Sequence, residues 1–343
     1  MVFKRFHREG SAIVADCLLE FAAESYGFDK ETCRFITYGR ERAKQIYTFY
    51  IDSKPYMLRF VKGSFSSFSQ TRAEMDWLSY LADKGVSVPI PLKTKNRELA
   101  VLMEENGEAY VISAFSKLEG RSWDKNNPSL WNEDIFYNWG KVVGDMHRFS
   151  KDYLPANDIT LRSEFQIRSM ISEKIKTFPS VGSVAEGLLK EIEALPKNRD
   201  SHGMIHNDLH PSNFLIEGEN ISLFDFDGCA YSWYAFDIGN ALYIALWFGR
   251  SNDAGADFAN DIIKHFLRGY LSANRLNDFW LSKIPLFMMC CKIALFSFGC
   301  DSESINDEYD EERQRVQMCN IENNVLFTGH TIDDSLFRND CLY

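Results

Sequence analysis

The sequence predicts an α+β chain of two lobes, a small antiparallel sheet followed by a mainly helical region. Three observations carry this. Short runs rich in aromatic and β-branched residues crowd the first third of the chain, and helical spacing of apolar residues takes over beyond Glu119 and Gly120. A length of 343 residues also exceeds one ordinary core and falls short of three. The boundary falls at residues 116–120, dividing the chain into a first lobe with a leading helix, 1–117, and a helical second lobe, 118–343.

The first 29 residues place apolar side chains at helical spacing, broken by Asp16 and Glu20, which reads as an amphipathic helix and not a signal peptide. Strand-like runs follow at 34–38, 46–52 and 55–61. At 71–84 the period changes: Ala73, Trp77, Leu78 and Leu81 share one helical face that Gly85 ends. Two more strands are expected at 98–103 and 109–115. Helices are then expected at 132–149, 164–178, 184–195, 236–248, 257–274 and 276–298, with short strands only at 204–205, 213–216 and 221–226.

Composition excludes several classes. Apolar residues make up 45% and charged residues 25%, which rules out wholesale disorder. A formal charge of -11 argues against gripping nucleic acid or an anionic membrane. The acidic run 301–312 is read as a solvated loop. Eight cysteines without a C-x-x-C pair indicate a reduced, cytoplasmic chain. The most apolar run, 284–298, is interrupted by Lys292 and too short to span a bilayer, so it is expected to be a buried helix.

The stretch 202–242 carries the chemistry. His202, His206 and His210 are spaced four apart, as metal ligands on a helix would be, but Gly203, Asn207, Asp208 and Pro211 are poor helix formers. A loop between short strands fits better. Asp208 and Asn213 then lie five apart, and Asp225 follows a second strand. Transfer of a γ-phosphoryl group needs hard oxygen ligands for Mg²⁺, which Asn213 and Asp225 supply, and a carboxylate to take the acceptor's proton, which Asp208 supplies. His206 holds the loop by hydrogen bonding.

The string H-N-D-L-H-P-S-N-F-L followed by L-F-D-F-D-G resembles the catalytic and metal-binding loops of the aminoglycoside phosphotransferase, choline kinase and homoserine kinase superfamily, relatives of the protein kinases. His206, Asp208 and Asn213 align with H-R-D-x-x-x-x-N without a gap, and Asp225-Phe226 takes the place of D-F-G. The resemblance covers the chain from about residue 30 to the last helices. It implies a protein-kinase-like fold and an ATP-dependent phosphotransferase that uses Mg²⁺ and a small hydroxyl-bearing acceptor such as an amino alcohol, sugar or aminoglycoside. Arg59 stands where kinases carry the strand-three lysine that contacts the α and β phosphates, with Glu74 as its partner. The adenine is expected at the connector formed by 110–115, which includes Ser113 and Phe115. His147 resembles a histidine of these families and is read as buried, and Asp237 resembles the aspartate that braces the catalytic loop.

Three departures narrow the substrate. No G-x-G-x-x-G occurs at 38–45, so phosphate contact is expected from backbone amides near 42–44. His210 replaces the lysine of the protein-kinase loop, either to contact the transferring phosphate or to make a structural hydrogen bond. Eleven residues separate Asp225 from Asp237, which leaves no room for a peptide-binding activation segment. Trp233, Tyr234, Trp247, Phe248 and Trp280 are expected mostly in the core, with any that face the cleft lining the acceptor pocket. A stress-response-type Ser/Thr protein kinase and a non-catalytic nucleotide-binding module remain the alternatives.

Overall fold

The computed structural model describes residues 14–38, 44–249, 257–300, 308–326 and 332–342. Three expected features therefore lie partly outside the described residues: the start of the leading helix, the stretch 38–45 with the phosphate contact expected near 42–44, and the acidic run 301–312. The chain forms two compact units. The first takes in the described residues up to Ala82 together with Pro89–Leu118 and Pro155–Leu161, and the second comprises Asp83–Val88, Glu119–Leu154 and the described residues from Arg162 on.

In the first unit, helix α1 (Asp16–Tyr26) is followed by strands β1 (Arg34–Tyr38), β2 (Lys44–Ile51) and β3 (Lys54–Lys62), helix α2 (Phe65–Asp83), and strands β4 (Pro91–Leu92), β5 (Val101–Glu105) and β6 (Glu108–Ser116). The six strands form one antiparallel sheet in the order β1-β2-β3-β6-β4, with β5 also paired to β6. Tyr47, Phe49, Leu58, Phe60, Ile112 and Ala114 form a buried core with Leu18, Ala22 and Tyr26 of α1. Tyr26 can be buried there because its hydroxyl donates to the Ile112 carbonyl at 3.2 Å. Arg59 alternates with Leu58 and Phe60 and so points to the opposite face, where Glu74 of α2 covers it. Burial on both faces is why three successive residues of β3 are inaccessible.

The second unit is mainly helical: α3 (Glu133–Ser150), α4 (Pro179–Glu193), α5 (Tyr234–Gly249), α6 (Phe258–Ala273), α7 (Asp278–Leu281), α8 (Ile284–Cys300) and α9 (Glu308–Glu322). Two small antiparallel pairs are set among them, β7 (His202–Ile205) with β10 (Ala230–Trp233) and β8 (Phe214–Glu217) with β9 (Asn220–Leu223). Helices α3 and α6 pack backbone to backbone. A Cβ at Gly140 would stand 1.9 Å from the Phe266 carbonyl oxygen, and one at Gly269 the same distance from that of Tyr137.

Three expectations are corrected. The helix expected at 164–178 is two 3₁₀ turns, Ile167–Met170 and Glu173–Thr177. The start of the segment is extended backbone bridged to Tyr231: the Phe165 N–H donates to Tyr231 O, and the Tyr231 N–H to Ser163 O. The helix expected at 276–298 is split into α7 and α8, because Pro285 suits the first turn of a helix and disfavours helical backbone before it. The acidic run, where described, is the start of α9 and not a loop. One helical stretch among the described residues, Asp278–Gly299, is long and apolar enough to cross a bilayer, but 61% of its most apolar window is buried inside the protein. Its Lys292 is buried, with Nζ donating to the carbonyls of Val325 at 2.6 Å and Leu326 at 2.9 Å.

Candidate active site

The loop after β7 is held by a single carboxylate. Asp237, in the first turn of α5, is fully buried and accepts the backbone N–H of His206 at 2.9 Å and of Asn207 at 2.8 Å. Its Oδ2 also faces Nε2 of the fully buried His147 at 3.1 Å. A carboxylate oxygen only accepts, so His147 carries its proton on Nε2, and Nδ1 accepts from the Tyr270 hydroxyl at 3.1 Å. Burial holds the His147 imidazole below its ordinary value, although Asp237 pulls the other way. Asn207 takes a left-handed backbone, φ 70°, and its side-chain amide donates to Gly228 O at 2.9 Å, joining this loop to the one that follows β9.

His206 has both ring nitrogens engaged. Nε2 donates to Phe224 O at 2.9 Å, and Nδ1 accepts the Asp208 N–H at 3.3 Å. The ring is buried against Phe226, so it braces the loop from both sides. Asp208 is more than half exposed. Its Oδ2 accepts from Asn213 Nδ2 at 3.2 Å and lies 3.6 Å from His210 Nε2. Asn213 Nδ2 also donates to the Asp208 carbonyl at 2.9 Å, which turns the amide oxygen, a hard donor, away from Asp208. His210 Nδ1 accepts the Ser212 N–H at 3.2 Å, so its proton sits on Nε2, toward Asp208. Asp225 adopts a left-handed backbone, φ 65°, directly before the 3₁₀ turn Phe226–Gly228. That turn is clamped by Arg162, whose guanidinium donates to Cys229 O at 2.6 Å and to Asp227 O.

Two oxygen donors, the Asn213 amide and the Asp225 carboxylate, suit a Mg²⁺ ion that keeps several waters and takes its other ligands from phosphates. The histidine series does not come together as a metal site: His202 lies 3.7 Å from Glu164 and packs on Trp233, and His206 and His210 are engaged as described. Among the described residues no group of three His, Cys, Asp or Glu side chains is arranged to hold a metal.

In the first unit, Arg59 and Glu74 form a bidentate pair, Nη1 to Oε1 at 2.8 Å and Nη2 to Oε2 at 2.7 Å, with both side chains 3% exposed. Arg59 Nε donates to Ser113 Oγ at 3.2 Å, and the guanidinium lies 5.9 Å from the Phe115 ring centroid. Ser113, expected at the connector, is thus buried against Arg59. Residues 110–115 are the central strand, paired to β3 along their length and to β5 or β4 on the other side, so most of their backbone groups are used within the sheet.

The chain as a whole has relatives among known proteins. The profile of a phosphotransferase enzyme family matches residues 41–276. The chain belongs to that family. This phosphotransferase is 31% identical to the amicoumacin kinase of Bacillus subtilis (strain 168) over 322 residues, covering 91% of each chain. It is 25% identical to the homoserine kinase of Parvibaculum lavamentivorans over 215 residues, 61% of this chain and 62% of that one. Among solved structures, an amicoumacin kinase in complex with AMP-PNP, Ca²⁺ and Ami superimposes with a TM-score of 0.79 at 25% identity, covering 93% of this chain and 95% of that one. A microcompartment-associated aminopropanol kinase gives 0.67 at 15% identity, covering 89% and 94%, and supports the fold alone. The fold is protein-kinase-like, and the phosphotransferase is an ATP-dependent kinase acting on a small-molecule hydroxyl.

Two parts of the site escaped the sequence. Arg162 sits in a segment that reads as surface loop, and its partners are carbonyls, which leave no sequence signature. Trp123 also lies in a loop, and only the structure brings it to Ser212, with Nε1 donating to Oγ at 3.3 Å. Of the five aromatics considered for a pocket, Trp233, Tyr234 and Trp280 are buried, while Trp247 and Phe248 are half-buried.

Proposed function

We propose that the chain phosphorylates a hydroxyl of amicoumacin or a close congener, with Asp208 as the base. The observation that carries this reading is 31% identity to an amicoumacin kinase across nearly the whole of both chains. Asn213 and Asp225 would hold Mg²⁺, which when bound neutralises charge on the β and γ phosphates. Arg59, set by Glu74, contacts the nucleotide phosphates. Asp208 accepts the acceptor's hydroxyl proton as the acceptor oxygen bonds to the γ phosphorus. The bond from that phosphorus to the β-phosphate oxygen breaks, and ADP leaves. Asn213 and His210 crowd one carboxylate oxygen of Asp208, which directs the other toward the acceptor. His206 and Asp237 fix the loop's backbone and do not exchange protons. The cytoplasm is the compartment this reading favours, since ATP is held there and Cys17, Cys33, Cys229, Cys290, Cys291 and Cys319 are free thiols.

The test is ADP release with Mg-ATP and amicoumacin, with mass spectrometry to find the phosphorylated product. Turnover with amicoumacin is expected, falling by about 10²-fold or more in Asp208→Asn, while the thermal shift caused by Mg-ATP persists. Turnover with homoserine, aminopropanol or a generic protein but not with amicoumacin would overturn the acceptor assignment.

A further inference from the structure

We infer that Trp123 is a positioning residue: its indole N–H holds the 3₁₀ turn Pro211–Asn213, and through that turn it sets the Asp208 carboxylate. The inference rests on the reading of Asp208 as the base.

The chain at 120–123 runs alongside β8. Arg121 and Ile216 exchange two backbone bonds, each 2.9 Å, in an antiparallel bridge. Gly120 permits the close approach: its φ is 122°, and a Cβ there would stand 2.9 Å from the Ile216 carbonyl oxygen. Because the bridge is antiparallel, moving forward from Arg121 means moving back from Ile216 toward the turn that precedes β8. Trp123 thus reaches Ser212, and its Nε1 donates to the Ser212 hydroxyl at 3.3 Å.

Neighbouring rings fix the plane of the indole. Phe248 lies nearly parallel to it, 9° apart in plane with centroids at 5.7 Å, and buried Trp131 packs on it at 5.0 Å. Tryptophan has a single hydrogen-bond donor, so the bond to Ser212 is the whole of its polar contribution. Ser212 is exposed, and water would satisfy its hydroxyl equally well. What the indole adds is position.

That position matters because the turn supplies the neighbours of Asp208. The Ser212 N–H donates to His210 Nδ1 at 3.2 Å, and the Asn213 N–H to His210 O at 2.9 Å. Asn213 Nδ2 donates to Asp208 O at 2.9 Å and to Oδ2 at 3.2 Å, and His210 Nε2 stands 3.6 Å from the same Oδ2. Asn240 of α5 holds the loop from its buried side, with Nδ2 donating to Leu209 O at 3.3 Å. Trp123 is the hold on the exposed side. A shift of the turn carries Asn213 and His210 with it, and a displacement of about 1 Å at a reacting group costs up to about 10²-fold in rate.

The test measures ADP release from Mg-ATP, with amicoumacin and with water alone as acceptor, for the wild type and five variants. Trp123→Phe keeps a ring and loses the N–H, and Ser212→Ala loses the acceptor. Each should lower kcat about fourfold with KM for ATP within about twofold. The double variant Trp123→Phe with Ser212→Ala should be no slower than the slower single one, since both changes remove one bond. Ser212→Thr, which keeps a hydroxyl, should hold kcat within about twofold of wild type. Trp123→Ala, which also removes packing, should fall about tenfold. In the isotope-labelled full chain, the indole N–H signal that Trp123→Phe deletes should shift and exchange faster in Ser212→Ala, a readout that needs no acceptor.

Wild-type kcat in Trp123→Phe beside a loss in Trp123→Ala would reduce the residue to packing and overturn the inference. Losses that multiply in the double variant, a rise in KM with kcat unchanged, or an indole signal indifferent to Ser212→Ala would do the same. An Asp208→Asn variant as fast as wild type would sink the reading of the base and the inference with it. Turnover with water but not with amicoumacin, showing the same pattern across the variants, upholds the role of Trp123 and removes only the proposed acceptor.

Discussion

Glu74 and Asp237 are both carboxylates sealed from water, at 2% and 0% exposure, yet they are neutralised in opposite ways. Glu74 meets a full countercharge, the guanidinium of Arg59, through two parallel bonds. Asp237 meets dipoles: two consecutive backbone N–H groups and the N–H of a neutral imidazole. An ion pair of the first kind fixes where two side chains stand and tolerates some backbone adjustment. A carboxylate held by backbone amides fixes the main chain itself, and here that main chain carries Asp208. The second arrangement suits a loop whose geometry must not drift.

The largest expected effect breaks the ion pair. Glu74→Ala leaves Arg59 buried without its countercharge and should cost about 3–5 kcal/mol in urea unfolding. A loss under about 1 kcal/mol would mean that water reaches the pair. Replacing both partners, Arg59→Met with Glu74→Leu, should recover most of that stability without restoring the Mg-ATP thermal shift, separating packing from function. Asp237→Asn removes one of the oxygens that accept from the loop after β7 and should cost about 2–3 kcal/mol. Steady-state assays should show kcat falling while KM for ATP holds; a rise in KM alone would assign Asp237 to nucleotide binding. Arg162→Gln should lower stability by only about 1 kcal/mol but raise the Mg²⁺ concentration needed for half-maximal rate, because it loosens the turn beside Asp225.

The smallest effect is on pH. Burial keeps His147 neutral in the folded chain at pH values where the unfolded chain protonates it. Its contribution is therefore complete above the ordinary imidazole value, about 6.5, and is lost as pH falls below it. His202 shifts in the same direction, also through burial. Thermal midpoints measured between pH 7.5 and 5.5 should fall, with a shallower slope in His147→Gln. A slope unchanged by that substitution would show that other groups set the acid limb.

The chemistry-bearing strings were legible because their spacing is local. Asp208 and Asn213 meet because only four residues separate them, and the strands about them, β7, β8 and β9, are short runs that each hold one isoleucine. The pattern failed where distant partners decide conformation. Residues 164–178 have helical periodicity, but their start is bridged to Tyr231 as extended backbone, which no sequence pattern within the segment announces. Ser113 sits in a run that reads as connector, and only the β3–β6 register, which sets it opposite Arg59, reveals its partner. The left-handed backbone of Asp225 is likewise imposed by what surrounds it, since aspartate alone does not demand it.

The lysine in the most apolar helix has a consequence for the order in which this protein is made. Lys292 is sealed inside α8, and its ammonium donates to two carbonyls that lie more than thirty residues downstream. During synthesis those acceptors emerge more than thirty residues after Lys292, so α8 carries a solvated charge until they arrive. Arrival of the 325–326 segment thus times the closure of α8 into the helical unit. A nascent or clipped chain ending before Val325 would present this hydrophobic helix to chaperones and proteases.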